Sequence, residues 1–283
     1  MIAAIFEYQF LQRALLACLL ASIVCGIIGI VIIEKKLVMM CGGIAHASYG
    51  GVGLGFWLGF EPILGAFAFS LLAALGIGYL SRRGSGKSEV LSGLLWSLGM
   101  ALGIVFISLM PGYPPNLGTY LFGNVLSVTG PELTLTLCLT VVVLLVFIIF
   151  YNCWKAYLFD EEFAAVVGVK CALLEYLLLI LVAMAVVVLI RVVGIILILA
   201  LLLAPAATAG LLSSDLKNRM IISVLLGWLY CFLGLWISYE ADIASGASIV
   251  MVSVLFYLLY AAVCALRNKT GNRNSPAQDG SAG

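Results

Sequence analysis

The sequence predicts an all-α protein that crosses a membrane about nine times, and three observations lead to this fold class. Of the 283 residues, 64% are hydrophobic and 10% are charged, against roughly 45–50% and about 25% in soluble domains. Apolar stretches of membrane-spanning length follow one another along most of the chain. Lipid offers the backbone no hydrogen-bond partner, so each span must be a helix. This composition excludes soluble enzymes, nucleic-acid-binding proteins and disordered proteins, and the net charge of +1 indicates no polyanionic partner.

Nine apolar stretches define the expected helices. The first has no basic run before it and continues to Ile33, which is too long for a signal peptide, so we expect a retained helix. The helices are expected at about residues 11–33, 37–59, 61–81, 89–110, 131–152, 172–190, 194–212, 219–238 and 246–266. Together they form one transmembrane domain over residues 1–266.

Basic residues concentrate in alternate loops. Arg13 and Arg191 fall on one side of the membrane, and the other side receives Lys35, Lys36, Arg82, Arg83, Lys87, Lys155, Lys170, Lys217, Arg219, Arg267, Lys269 and Arg273. The positive-inside rule therefore predicts an external N-terminus and a cytoplasmic C-terminus. Residues 267–283 are polar and rich in small side chains, so we expect a disordered cytoplasmic tail.

His46 is the only histidine in the chain. It lies nine residues into the second helix, which is about 14 Å along the axis, and half of a ~30 Å hydrocarbon core is about 15 Å. An ionisable side chain near the midplane usually faces a cavity or a pathway, and imidazole is a common ligand of transition metals. The sequence therefore predicts a metal-binding role, and a helix–helix hydrogen bond is the alternative.

Small and hydroxylated residues surround His46 in the second helix. Gly42, Gly43 and Gly50 remove side chains from its surface, while Ser48 and Tyr49 add hydroxyl groups nearby. Missing side chains allow two helices to pack closely, and they equally allow a cavity lined by bare backbone. Both interpretations remain open from sequence.

Two further features could belong to a cation pathway. Glu240 and Asp242 lie in the last external loop, where carboxylates would attract cations, although a solvated loop is the alternative. Pro205 interrupts the seventh helix and predicts a kink whose freed carbonyl groups could line a pathway. A purely structural kink is the other interpretation.

The longest cytoplasmic segment predicts a short amphipathic helix at about residues 159–169. Asp160, Glu161 and Glu162 stand at its start and Gly168 at its end, which are favourable residues for the two ends of a helix. Docking of a cytoplasmic partner is one reason for such a helix. The Gly86-Lys87-Ser88 tripeptide lacks the rest of a phosphate-binding loop, so we do not expect this chain to bind a nucleotide.

Six segments together resemble the permease subunits of ABC-type zinc, manganese and iron importers. They are GGIAHASYGGVGLG, LSGLLWSLGMALGIVFIS, YLFGNVLSV, DEEFAAVVGV, LLLAPAATA and SYEADIASGASIV, and the resemblance runs from about residue 15 to residue 266. It implies a type II-like importer permease of the prokaryotic plasma membrane. It also implies a homodimer or pseudodimer of such permeases, on which ATP-binding cassette subunits dock and to which an extracytoplasmic metal-binding protein delivers the metal.

The resemblance also implies roles for particular residues. DEEFAAVVGV is similar to the coupling helix of that family, which the ATP-binding subunits push when they hydrolyse ATP. His46 resembles a proposed metal ligand, and Asp242 resembles the acid of the last external loop. Gly42 stands where many members carry Asp, and Ala244 stands where Pro is common, so this site is poorer in carboxylate than is usual in the family.

We therefore predict the permease subunit of an ATP-driven importer of divalent metal cations (zinc, manganese or iron). The metal is the substrate, no cofactor is permanently bound, and the chain is not an enzyme because a separate subunit hydrolyses ATP. The nearest alternative is a permease for a metal chelate such as a siderophore or cobalamin. An ion-coupled secondary transporter is a further alternative, and it should show intramembrane carboxylates and inverted repeats.

Overall fold

A computed structural model describes residues 7–82, 88–111, 120–121, 123 and 125–273. Within these ranges the regular structure is helical. The helices are α1 (Gln9–Glu34), α2 (Val38–Leu58), α3 (Pro62–Arg82), α4 (Ser88–Ser108), α5 (Gly130–Ile149), α6 (Tyr151–Phe159), α7 (Glu161–Val166), α8 (Cys171–Leu189), α9 (Ile195–Leu212), α10 (Leu216–Ala241) and α11 (Ser245–Arg273), with a 3₁₀ turn at Val125–Ser127. The predicted fold class is confirmed.

The count of nine spans depends on α2. Eight helices in the described part of the chain are long and apolar enough to cross a membrane, namely α1, α3, α4, α5, α8, α9, α10 and α11. The remaining long helix, α2, has 21 residues, but its glycines and its histidine lower its hydropathy. Most of α2 is buried between other helices, so its surroundings are mainly protein rather than lipid.

Close backbone approach holds α2 between α3 and α4. Gly51 of α2 and Gly65 of α3 face each other so tightly that a Cβ at either position would overlap the backbone of the other. A second group is formed by α1 with α9 and α10, where Gly29 lies against the backbone of Leu202. Small residues at helix contacts are typical of membrane bundles, because packing rather than water exclusion drives their association.

Ion pairs gather at the two ends of the bundle. At one end, Arg191 lies 3.1 Å from Glu132 and 3.5 Å from Glu61. Glu132 also closes a capping box with Thr129 at the start of α5. The opposite end, where α1 ends and α10 begins, carries the Arg219–Glu34 pair and the two short helices α6 and α7. Long apolar surfaces separate the two charged ends, as a bilayer requires.

Several element bounds differ from those predicted. The stretch expected at 131–152 ends at Ile149, and the chain then begins the separate helix α6 at Tyr151. Helix α11 continues to Arg273, so the predicted tail is helical as far as that residue. The rest of the tail, residues 274–283, lies outside the described residues, as do Arg83 and Lys87.

Candidate functional site

His46 lies on α2 and is covered by a tryptophan of α4. Its side chain is buried, with 7% of the residue exposed, and its ring stacks on that of Trp96 with 4.1 Å between centroids and 12° between planes. Within the described part of the chain, Nδ1 of His46 is buried and has no hydrogen-bond partner. Nδ1 therefore makes no helix–helix hydrogen bond to those residues, which is one form of the predicted alternative.

The glycines around His46 bring α2 and α4 into backbone contact. A Cβ at Gly50 would lie 3.0 Å from the carbonyl oxygen of Gly99, and a Cβ at Gly43 would lie 2.9 Å from that of Ser92. Both distances are tighter than ordinary carbon contacts. In this structure Gly43 and Gly50 are therefore helix-packing positions rather than cavity-lining ones.

Gly42 has a different neighbour, the indole of Trp96. A Cβ at this position would lie 2.8 Å from Cζ3 of that ring. The space beside His46 that a side chain at residue 42 would enter is thus filled by an aromatic ring. This packing gives a physical reason why glycine, and not a carboxylate, suits position 42 of this chain.

The side chains of Ser48 and Tyr49, near His46 in sequence, are engaged in other contacts. Ser48 donates a 2.6 Å hydrogen bond from Oγ to the carbonyl oxygen of Ala45, within its own helix. The ring of Tyr49 is buried against Gly103 of α4.

Pro205 lies inside α9, which continues through it to Leu212, and it faces Gly227 of α10.

Glu240 and Asp242 are exposed at the end of α10. Asp242 adopts a left-handed conformation with φ of 53° and caps the helix by donating its backbone N–H to the carbonyl oxygen of Ser238. Among the described residues, no group of three or more His, Cys, Asp or Glu side chains is placed to hold a metal ion. Within the described part of the chain, His46, Glu240 and Asp242 therefore do not form one site.

The predicted amphipathic helix is present but shorter than expected. It spans Glu161–Val166, and Asp160 caps it by accepting hydrogen bonds from the backbone N–H groups of Glu162 at 2.9 Å and Phe163 at 3.1 Å. The segment turns at Gly168, whose φ of 92° is a conformation that side chains disfavour. The acids and the glycine thus lie at the start and just past the end of α7, as predicted.

Helix α7 presents an apolar surface that nothing in the described chain covers. Phe163 and Val166 of α7 are 57% and 86% exposed, and Phe159 before the helix and Val167 after it are also exposed. We call these four residues the α7 surface. Exposed apolar side chains at a charged end of a membrane bundle mark a surface that contacts another protein or the membrane.

An ionic cluster links α7 to three long helices, and sequence reasoning missed it. Glu161 lies 2.9 Å from Nζ of Lys35 and 3.9 Å from Arg82, and Arg82 lies 2.7 Å from Glu175. Lys35 also stacks over the ring of Tyr157 at 3.6 Å. Lys35 follows α1, Arg82 ends α3 and Glu175 belongs to α8. In the sequence, basic residues at helix ends indicate which side of the membrane a loop lies on, but they do not indicate which carboxylates they pair with.

The ionic cluster lines a cavity of about 350 Å³. Burial, assisted by the nearby carboxylates of Glu175 and Glu161, raises the pKa of the Tyr157 phenol well above its ordinary value. Tyr157 therefore stays neutral, and it contributes its ring to Lys35 rather than a negative charge.

The chain is similar to known membrane transport proteins along most of its length. Residues 7–264 match the model of a family described as the ABC 3 transport family. The chain is 37% identical over 257 residues to the manganese transport system membrane protein MntC of Halalkalibacterium halodurans, which covers 90% of this chain and 88% of that protein. It is 36% identical over 258 residues to the manganese import system permease protein ScaB of Streptococcus gordonii, which covers 91% and 92%.

A solved structure has the same fold. PsaBC from Streptococcus pneumoniae, determined in complex with Fab, contains a chain that is 35% identical to this one and superposes with a TM-score of 0.82. The match covers 92% of this chain and 93% of that chain. The arrangement of helices described above is therefore shared along nearly the whole length.

Proposed function

The chain belongs to the ABC 3 transport family and is the membrane-spanning permease subunit of a divalent metal importer, and we propose that its cargo is Mn²⁺. The match over nearly its full length to permeases named for manganese transport carries this proposal. His46, an imidazole buried in the middle of α2 with an unpartnered nitrogen, is the residue best suited to meet the cation inside the membrane.

Energy comes from a separate ATP-binding subunit that docks on the α7 surface. The exposed side chains of Phe159, Phe163 and Val166 support this assignment, since exposed apolar surface at the end of a bundle is favourable for contact with a partner protein. Asp160, Glu161 and Glu162 start the helix, and Gly168 sets the turn that follows it. This assignment makes segment 159–169 the coupling element and places it in the cytoplasm.

The ionic cluster transmits the movement of α7 to the helices around His46. Lys35 is held by Glu161 and lies three residues before the start of α2, the helix that carries His46. Arg82 joins the same carboxylate to the end of α3, and α3 packs along α2. A displacement of α7 therefore pulls on α2 from its end and from its side.

The cation is held weakly on its way through. One neutral imidazole is a poor site by itself, and a transit site must release what it binds. Glu240 and Asp242, exposed at the external mouth, attract the cation after an extracytoplasmic binding protein delivers it. Two copies of the chain form the pathway between them, which fits the lack of any group of three or more His, Cys, Asp or Glu side chains at one point of the described residues.

The orientation that fits this mechanism has the N-terminus outside and the C-terminus in the cytoplasm. It places Lys35, Arg82, Arg219 and α7 on the inner side, as the positive-inside rule favours. Arg191, Glu61 and Glu132 then lie at the outer end.

Uptake by vesicles tests the proposal. The chain is reconstituted with its ATP-binding subunit and loaded binding protein, and uptake of Mn²⁺, Fe²⁺, Zn²⁺ and a ferric siderophore is measured with and without ATP. We expect ATP-dependent uptake of Mn²⁺. Uptake of the intact chelate in preference to free cations would favour the chelate alternative, and uptake driven by a proton gradient without ATP would favour a secondary transporter.

A further inference from the structure

We propose that Trp96 is a gating residue that closes His46 off from the cation, and that α4 must carry the indole away before a metal ion can reach the imidazole. The gate rests on the proposed function, since it takes His46 to be the residue that meets the cation. Its physical basis is the stacked pair of rings, 4.1 Å apart and 12° from parallel. An imidazole binds a metal ion through a nitrogen in the plane of its ring. Nδ1 of His46 is buried in this state, so an ion cannot reach that nitrogen until the neighbouring side chains move.

The unpartnered nitrogen of His46 fits a closed state of the gate. Nδ1 is buried and has no hydrogen-bond partner in the described part of the chain. A buried polar atom without a partner is unfavourable by itself and usually has a functional reason. A ligand that arrives only after the gate opens supplies that reason, because it satisfies the nitrogen in the open state.

The closed position of Trp96 depends on a glycine beside it. A Cβ at Gly42 would lie 2.8 Å from Cζ3 and 3.1 Å from Cε3 of the indole, so the ring rests directly against the backbone of α2. The colliding atoms are the far end of a side chain rather than backbone. A methyl group at residue 42 would therefore move the ring and not the helix.

The side chain of Trp96 is not fully enclosed by the helix bundle. Its side chain is only partly buried, so the ring does not belong to the interior of the bundle. Around it, α4 meets α2 through backbone contacts such as Gly43 with Ser92 and Gly53 with Gly103. In the proposed opening, α4 shifts relative to α2 along these contacts and carries Trp96 with it.

Chemical labelling of His46 tests the gate directly. Diethyl pyrocarbonate acylates an imidazole nitrogen, with loss of ethyl carbonate, and His46 is the only histidine of the chain. Labelling is followed by mass spectrometry of the His46 peptide in the nucleotide-free complex with the ATP-binding subunit. The variants are Trp96→Ala, Trp96→Phe, which retains a flat ring, and Gly42→Ala.

A matched control exists on the same two helices. Trp57 of α2 stacks on Phe106 of α4 with 5.5 Å between centroids and 7° between planes, so Trp57→Ala removes an equivalent stack away from His46. It reports whether losing any aromatic contact between α2 and α4 loosens the helix pair.

We expect labelling of His46 to become about tenfold faster in Trp96→Ala, and faster by a smaller factor in Gly42→Ala. Trp96→Phe and Trp57→Ala should remain close to wild type. Mn²⁺ uptake per ATP hydrolysed should fall in Trp96→Ala and be restored in Trp96→Phe.

Three results would overturn the gate. They are unchanged labelling in Trp96→Ala, an equal rise in Trp57→Ala, or faster labelling with undiminished coupling of uptake to ATP. A wild-type complex that takes up no Mn²⁺ would contradict the proposed function as well as the gate, whereas abnormal results confined to the variants concern the gate alone.

Discussion

Single residues decide how close the helices of this bundle come, and glycine is the residue that does so at α2. Gly51 and Gly65 leave no room for a side chain on either helix. The richness of α2 in glycine is evident from sequence, but the partner of each glycine is not. His46 could likewise be predicted as a membrane-embedded group, whereas Trp96, fifty residues away in an ordinary apolar stretch, gives no signal before the fold brings the rings together.

Replacing Gly51 by Ala should destabilise the protein, because the new Cβ would overlap the backbone of Gly65. Overpacking of this kind typically costs about 1–3 kcal/mol. The measurement is thermal unfolding of the purified chain in detergent. Gly76 provides the control, since a Cβ there meets nothing within 4 Å, and Gly76→Ala should change stability by less than about 1 kcal/mol. Equal melting of the two variants would contradict the role of close packing at Gly51.

Among the elements, α7 is the most dependent on a single side chain. It has six residues, and so short a helix has little stability of its own. Its acidic start and its final glycine follow from sequence, because capping is a local property. The ionic cluster does not, because Glu161 finds Lys35 and Arg82 far away in the chain, and local patterns carry no information about such partners.

Removal of the cap should loosen α7. Asp160→Ala leaves the N–H groups of Glu162 and Phe163 without their acceptor, a loss of about 0.5–2 kcal/mol of helix stability. Hydrogen exchange of residues 161–166 should accelerate, and Asp160→Asn, which retains a capping oxygen, should preserve protection. Normal protection in Asp160→Ala would show that contacts such as that of buried Ala164 hold the helix without the cap.

Loss of the Lys35–Glu161 pair should uncouple ATP hydrolysis from transport. Lys35→Met keeps the apolar stem but removes the charge that Glu161 binds at 2.9 Å. We expect Mn²⁺ uptake per ATP hydrolysed to fall about two- to fivefold, the range set by a partly exposed pair. Lys36→Met removes the same charge from the adjacent, exposed residue and should keep normal coupling. An equal fall in both variants would indicate a general charge effect instead.

At the scale of the whole molecule, lipid makes the fold predictable and the pathway difficult to predict. The bilayer requires long apolar helices, so their number and approximate bounds follow from composition and periodicity. The same requirement makes every helix apolar, and the pattern then says little about which helices touch. Among the long described helices, α2 alone falls short of the hydropathy of a candidate membrane span, and most of its residues are buried between other helices.

The central claim is that ATP hydrolysed by a partner subunit drives a metal cation past His46. The most direct test compares Mn²⁺ uptake and ATP hydrolysis in vesicles containing the complete complex with wild-type chain or with His46→Ala. We predict that His46→Ala assembles and hydrolyses ATP but transports Mn²⁺ about tenfold more slowly, or worse, as expected for loss of a metal-interacting group. Full-rate Mn²⁺ uptake by His46→Ala would contradict the claim.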